Sequence, residues 1–217
     1  MVMKLQKTEL IQAQLALLVA VGLQLVVWLV NHDVFSEFQY AVIIAQVILM
    51  IVLALTTGSK NSKARATHHT TAIAMIAVIT LANLASLAII ITALLTDSLV
   101  RDGSALLGSA LAIFFTNVIV FAIWYWEIDS PGLTKRNWTK SDKDFQFTQQ
   151  NMTADFPDWK PEFFDYLFIS LINSFNGATT SAHPITRHAK LLMATQASIS
   201  IFTLALVVAR SVGVLGS

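Results

Sequence analysis

The chain contains no cysteine. Disulfides and thiolate metal sites are excluded, and the redox compartment cannot be read from it. Charge is scarce as well. Asp, Glu, Lys and Arg make up 12% of the 217 residues, about half of the roughly 25% usual in soluble domains. The few charges avoid the long apolar runs. With no charged residue in mid-span, a proton-coupled pump lacks an obvious relay, and no arginine ladder is present for voltage sensing. There is no glycine-rich phosphate loop, no His-Glu-x-x-His pattern and no carboxylate pair set in one helix face. These absences remove the common catalytic constellations, so an enzyme is not expected, and neither is a cofactor or a metal site. A net charge of +1 gives no reason to expect a nucleic-acid partner.

What is present is apolar. Hydrophobic residues make up 55% of the chain and the mean hydropathy is +0.66, which places it among integral membrane proteins. Five runs, 10–30, 40–57, 70–95, 104–126 and 185–209, approach or exceed the ~20 residues needed to cross a hydrocarbon core of about 30 Å. The first begins within ten residues of Met1 and outruns the core of a signal peptide, roughly 7–15 residues. It reads as a retained span. A sixth run, 162–175, has only 14 residues. Backbone in lipid must satisfy its own hydrogen bonds, and the runs lack the alternation of a barrel, so every element is expected to be helical. The expected fold is an all-α integral membrane protein of one domain, 1–217. Four helices fill 1–126, a long loop covers 127–160, and a helix pair fills 161–217. Five helices cross, and the sixth is a short re-entrant or short spanning helix.

Smaller signals refine this plan. Trp124-Tyr125-Trp126 should mark a membrane interface. The long loop carries Trp138, Phe145, Phe147, Phe156 and Trp159, more aromatics than a disordered linker usually has. It should fold back on the protein or lie along the bilayer. Within it, Asn137-Trp138-Thr139 and Asn151-Met152-Thr153 fit the glycosylation pattern by chance, and Asp155 and Asp158 read as a solvated turn. His68 and His69 are read as part of a solvated loop. Gln12, Gln14, Gln24, Gln46, Asn83, Asn117 and Gln196 lie within spans and suggest hydrogen bonds between helices. Ser104 with Gly108, Ala105 with Ser109, and Ala82, Ala85 and Ser86 have the spacing of close helix packing.

Lysine and arginine favour the cytoplasmic side. Lys4 and Lys7 precede the first span, Lys60, Lys63 and Arg65 follow the second, and Lys135, Arg136, Lys140 and Lys143 follow the fourth. The N terminus and the long loop are thus expected in the cytoplasm. The short segment fits two topologies. If it dips and returns, Arg187 and Lys190 lie inside and Arg210 outside; if it crosses, the reverse holds. Its length favours the first.

The joint after this segment is rich in hydroxyls and small residues. Thr179, Thr180 and Ser181, with Gly177 and the amides of Asn173 and Asn176, could supply oxygens to a desolvated ion. The same stretch also fits a plain helix corner, with Gly177 as stop and Pro184 opening the next helix. Beyond it, His183, Arg187, His188 and Lys190 form a basic cluster. It suits pH sensing, a lipid headgroup, or simple anchoring at the interface.

Read without gaps, Phe168-Ile169-Ser170, Pro184-Ile185-Thr186, Ala189-Lys190-Leu191-Leu192, Gln196 and Ala209-Arg210 resemble the pore module of two-helix potassium channels. The match covers about the last quarter of the chain. Its filter motif would fall on 176–181, where only the smallness of the residues survives. Four helices followed by such a module also resemble a group of uncharacterised bacterial membrane proteins carrying a domain of unknown function. The resemblance implies a homo-oligomer, fourfold if channel-like, passing monovalent cations in a bacterial plasma membrane without the usual potassium selectivity. In that family the pore loop enters from outside, whereas the charge pattern here puts it on the cytoplasmic side. A non-conducting structural or regulatory membrane protein that keeps the architecture is the alternative.

Overall fold

The structure is a computed structural model that describes residues 7–30, 38–57, 62–96, 103–134, 139, 142–176 and 181–215. Helices dominate. They are α1 (Lys7–Val30), α2 (Phe38–Thr56), α3 (Ser62–Thr96), α4 (Gly103–Asp129), α5 (Phe163–Asn176) and α6 (Arg187–Leu215). The protein is all-α in class, and among the described residues four helices are long and apolar enough to cross a membrane: α1, α3, α4 and α6. The expectation that every element is helical needs one correction. Phe145–Phe147 (β1) pairs antiparallel with Ala182–Pro184 (β2). These strands lie outside the apolar helices, where backbone groups need not be satisfied within one segment.

Six helix ends meet at one end of the bundle. Gln14 near the start of α1 donates to Thr57 after α2 (2.7 Å). His68 near the start of α3 lies 3.1 Å from Thr56 Oγ1 and 3.0 Å from the carbonyl of Leu133, just past α4. His68 is thus buried inside a helix, not part of a solvated loop, because α3 begins at Ser62. Tyr166 at the head of α5 reaches Asp129, the last residue of α4, at 2.7 Å. α6 begins at the same place. Thr186 accepts the Ala189 N–H (3.2 Å) as a helix cap and also bonds Asp144. At the opposite end Trp28 of α1 stacks edge-on against Tyr40 of α2, with centroids 4.2 Å apart.

α4 is the helix around which α1, α3, α5 and α6 pack, while α2 lies against α3 and α1. Of the membrane-length window of α4, 67% is buried, and its side chains join the main core with Leu17, Met75, Ile76 and Ile169. A smaller core at the far end gathers Val27, Trp28, Leu87, Ile90 and Ile113. Tyr125 and Trp126 are fully buried in protein, and Trp124 donates to Thr80 (3.1 Å). The triplet packs against neighbouring helices, because α4 is surrounded on most sides. Gly108 is exposed, with open space where a Cβ would stand. Its small-residue spacing is not used for packing by the described part of this chain.

α5 and α6 both run antiparallel to α4, and so parallel to each other. Along α5, Phe163 meets Trp126, Ser170 donates to the Val118 carbonyl (2.6 Å), and Phe175 meets Phe114 (5.1 Å between centroids). Along α6, Gln196 meets Tyr125 and Ser200 accepts from Asn117 (3.1 Å). After Asn176 the described chain resumes at Ser181, whose carbonyl accepts the Thr148 N–H (3.1 Å) beside β1. The chain thus enters and leaves the α5 segment at the same end of the bundle.

Candidate functional site

Two polar assemblies position this returning segment. The first is a clamp at the bundle end. The Asp129 carboxylate accepts the backbone N–H groups of Asp144 (2.5 Å) and Phe145 (2.9 Å) through one oxygen, and the Tyr166 hydroxyl (2.7 Å) through the other. It is 2% exposed. Charge-assisted bonds of this kind are about twice as strong as neutral ones. One side chain therefore ties α4, the loop and α5 together. β1 carries the tie on to β2, pairing Phe147 with Ala182 and Phe145 with Pro184. The rings of Phe145 and Phe147 pack on Tyr125, Tyr166 and Trp159, which explains why the loop is rich in aromatics. α5 is capped by its own residues: Asp165 accepts the Glu162 N–H at 2.7 Å, a carboxylate where free N–H groups and the helix dipole favour one.

The turn leaving α4 supports the clamp. Glu127 accepts the Thr134 N–H (3.1 Å) and its hydroxyl. Gly132 sits at φ +64°, and a Cβ there would run into the Glu127 carboxylate. Only glycine meets both conditions, the left-handed backbone and the missing side chain.

The second assembly lies deeper, between α4, α5 and α6. Asn173 Nδ2 donates towards Gln196 Oε1 (2.9 Å), the Met193 carbonyl (3.0 Å) and the Tyr125 hydroxyl (3.2 Å). Gln196 Nε2 donates towards Ser170 Oγ (2.6 Å), Ser174 Oγ (2.8 Å) and the Ser170 carbonyl (3.0 Å). The Tyr125 hydroxyl donates to Gln196 Oε1. All five side chains are buried. Asn173 Oδ1 alone has no partner among the described residues. The network is built of amides and hydroxyls, with no carboxylate or amine. Its chemistry is orientation and dipolar solvation, not proton transfer.

The anticipated residues fall into different places. Asn173 joins the deep network. Asn176 ends α5, but its side chain, with Gly177, Thr179 and Thr180, lies outside the described residues. Ser181 is half-buried beside Thr148. His183 is exposed on β2, opposite Gln146. Arg187, His188 and Lys190 are exposed on the first turn of α6. The basic cluster thus lies at the bundle end, separated from Asn173 by the depth of the network. Ser170 and Gln196, singled out by the resemblance, meet each other directly. Asp129, Tyr125 and Tyr166 were missed. A carboxylate closing an apolar helix was the one available hint for Asp129. Nothing in the sequence indicated that residues 15 and 16 positions later would bond to it.

No protein-family model, curated protein or solved structure matches the chain.

Proposed function

We propose that this is a channel-like membrane protein with a pore loop inserted from the cytoplasmic side. In this reading α1 to α4 and α6 cross the bilayer, while α5 dips in and the chain returns. The observation that carries it is the shared anchorage of both ends of the α5 segment: Tyr166 on Asp129 before it, Ser181 and Ala182 on Thr148 and Phe147 after it. A 14-residue helix spans ~21 Å, short of a core about 30 Å thick. α2, with 19 residues, reaches ~28 Å and counts as a span. Among the described residues, seven Lys and Arg (Lys7, Lys63, Arg65, Lys143, Lys160, Arg187 and Lys190) belong to the anchored end and Arg210 to the other. By the positive-inside rule that end is cytoplasmic, as is the N terminus.

The protein would assemble as a homo-oligomer, fourfold if it follows the module it resembles, in a bacterial plasma membrane. Monovalent cations would pass the oxygens of Asn176, Thr179, Thr180 and Ser181 passively, without catalysis. Reconstituted protein should carry potassium or sodium across liposomes faster than empty vesicles do. The double change Thr179→Val and Thr180→Val should alter the rate or the ratio of the two ions. Folded, inserted protein with no flux above empty vesicles would overturn the reading.

A second reading draws on Asn173. Its amide nitrogen is committed to Tyr125, Met193 and Gln196 of the same chain, so this candidate pore residue braces the fold. That favours a non-conducting protein that keeps the loop as a structural or regulatory element. The liposome experiment separates the two.

A further inference from the structure

α5 and α6 leave two dissimilar faces open. On α5, Phe164, Phe168 and Phe175 are 66%, 44% and 55% exposed. Positions four and eleven apart lie within about 40° of one line at 100° per residue, so the three rings form a ridge. On α6 the exposed stretch between Leu191 and Ile201 is small, Ala194, Thr195 and Ser198, whereas Ile201, Phe202 and Val208 beyond it are large and exposed. The hydroxyls of Thr195 and Ser198 bond the carbonyls of Leu191 and Ala194 in their own helix, both at 2.9 Å. That surface can be covered by apolar atoms without stranding a donor.

The charges above these faces are opposite in sign. Asp155, Asp158 and Glu162 are exposed on the segment leading into α5, with Lys160 the one cation among them. Arg187, His188 and Lys190 are exposed where α6 begins. Among the described residues no ion pair joins the two groups. Depth matches as well. Asn173 bonds Gln196, so α5 residues lie level with α6 residues 23 positions later in these parallel helices. Phe164 is then level with Arg187, Phe168 with Leu191, and Phe175 with Ser198.

Rotation about an axis along the membrane normal preserves depth. A ring places a patch of one copy against a different patch of the next, and the two must be complementary at equal depth. We infer that the α5 ridge of one copy packs on the small-residue face of α6 of its neighbour, with Asp158 and Glu162 set against Arg187 and Lys190. The inference rests on the homo-oligomeric reading above and supplies its interface. Apolar packing between the helices fixes the contact, and the charges fix its direction round the ring.

The absence of cysteine makes the test direct. Phe168→Cys and Leu191→Cys chains, each carrying a different tag, are expressed together and oxidised in native membranes. A disulfide-linked dimer is expected only when both are present, and the double variant should give a ladder ending at the ring size. Asp158→Lys with Glu162→Lys should lose the oligomer peak in nanodiscs, and adding Arg187→Glu with Lys190→Glu should restore it. An oligomer that forms without the mixed disulfide and ignores the charge reversals overturns this interface and leaves the pore-loop reading standing. A monomer, its open faces covered by lipid, overturns both. A ladder without ion flux supports the interface and removes permeation.

Discussion

α4 and α6 look alike as sequences and live differently in the fold. Each is an apolar helix of membrane length, 27 and 29 residues long. Yet 67% of the apolar window of α4 is buried within the protein against 22% of that of α6. In water such a difference would be visible in the pattern of polar residues. In lipid it is not, because hydrocarbon accepts the same side chains as a protein neighbour does. Polar residues mark the covered faces of both helices. Those of α4 and its partners meet one another, as Asn117 meets Ser200 and Tyr125 meets Gln196. The outward hydroxyls of α6 turn back on their own backbone.

The sharpest way to break this contrast begins at the end of α4. Asp129→Ala strands the buried N–H of Phe145, the half-buried N–H of Asp144 and the Tyr166 hydroxyl. The expected loss is about 3–5 kcal/mol, the sum of ~1–3 kcal/mol per abandoned group less some rescue by water. Unfolding in graded detergent mixtures would show it, and faster hydrogen exchange at Phe145 should accompany it. A loss under ~1 kcal/mol would mean the clamp does not hold the loop.

A matched pair then compares the two helices directly. Ile123 of α4 is fully buried and Ile201 of α6 is 64% exposed. Ile123→Ala should cost about 2–4 kcal/mol through the cavity it leaves. Ile201→Ala should stay within ~0.5 kcal/mol for the folding of one copy. Equal losses in the same unfolding series would erase the distinction. Between these lies Gly132→Ala, expected to cost about 1–3 kcal/mol for the left-handed backbone alone, with more from the contact with Glu127.

The deep network gives the finer test. Gln196→Leu removes the acceptor of Asn173 and Tyr125 and the donor to Ser170 and Ser174. Hydrogen bonds between membrane helices are worth ~0.6 kcal/mol each on average, so a loss of about 2–3 kcal/mol is expected. Gln196→Glu, neutral when buried without a cation, should keep the acceptor and one donor, falling between the leucine variant and the native protein. Thermal unfolding in one detergent is enough to rank the three.

Much of the scaffold was legible before the fold was known. The run 104–126 became Gly103–Asp129, and the short run 162–175 became Phe163–Asn176. Apolar length carries that information because a bilayer imposes one thickness on every helix. The candidate site was legible only in pieces. Gln196 and Asn173 stood out as amides in apolar helices, but their meeting depended on α5 and α6 running parallel. His68 looked like a loop residue because nothing in Lys63 to His69 resists solvent; burial came from Leu133, 65 positions away.

The amino-acid order alone determined that the chain is helical and membrane-embedded, because apolar runs without charge leave the backbone no other way to satisfy its hydrogen bonds. It also determined which end of each helix carries the basic residues. The tertiary structure alone decided which helix is surrounded by protein and which is left open, and that the α5 segment begins and ends beside Asp129. Those outcomes hang on hydrogen bonds between distant residues, whose geometry no local pattern encodes.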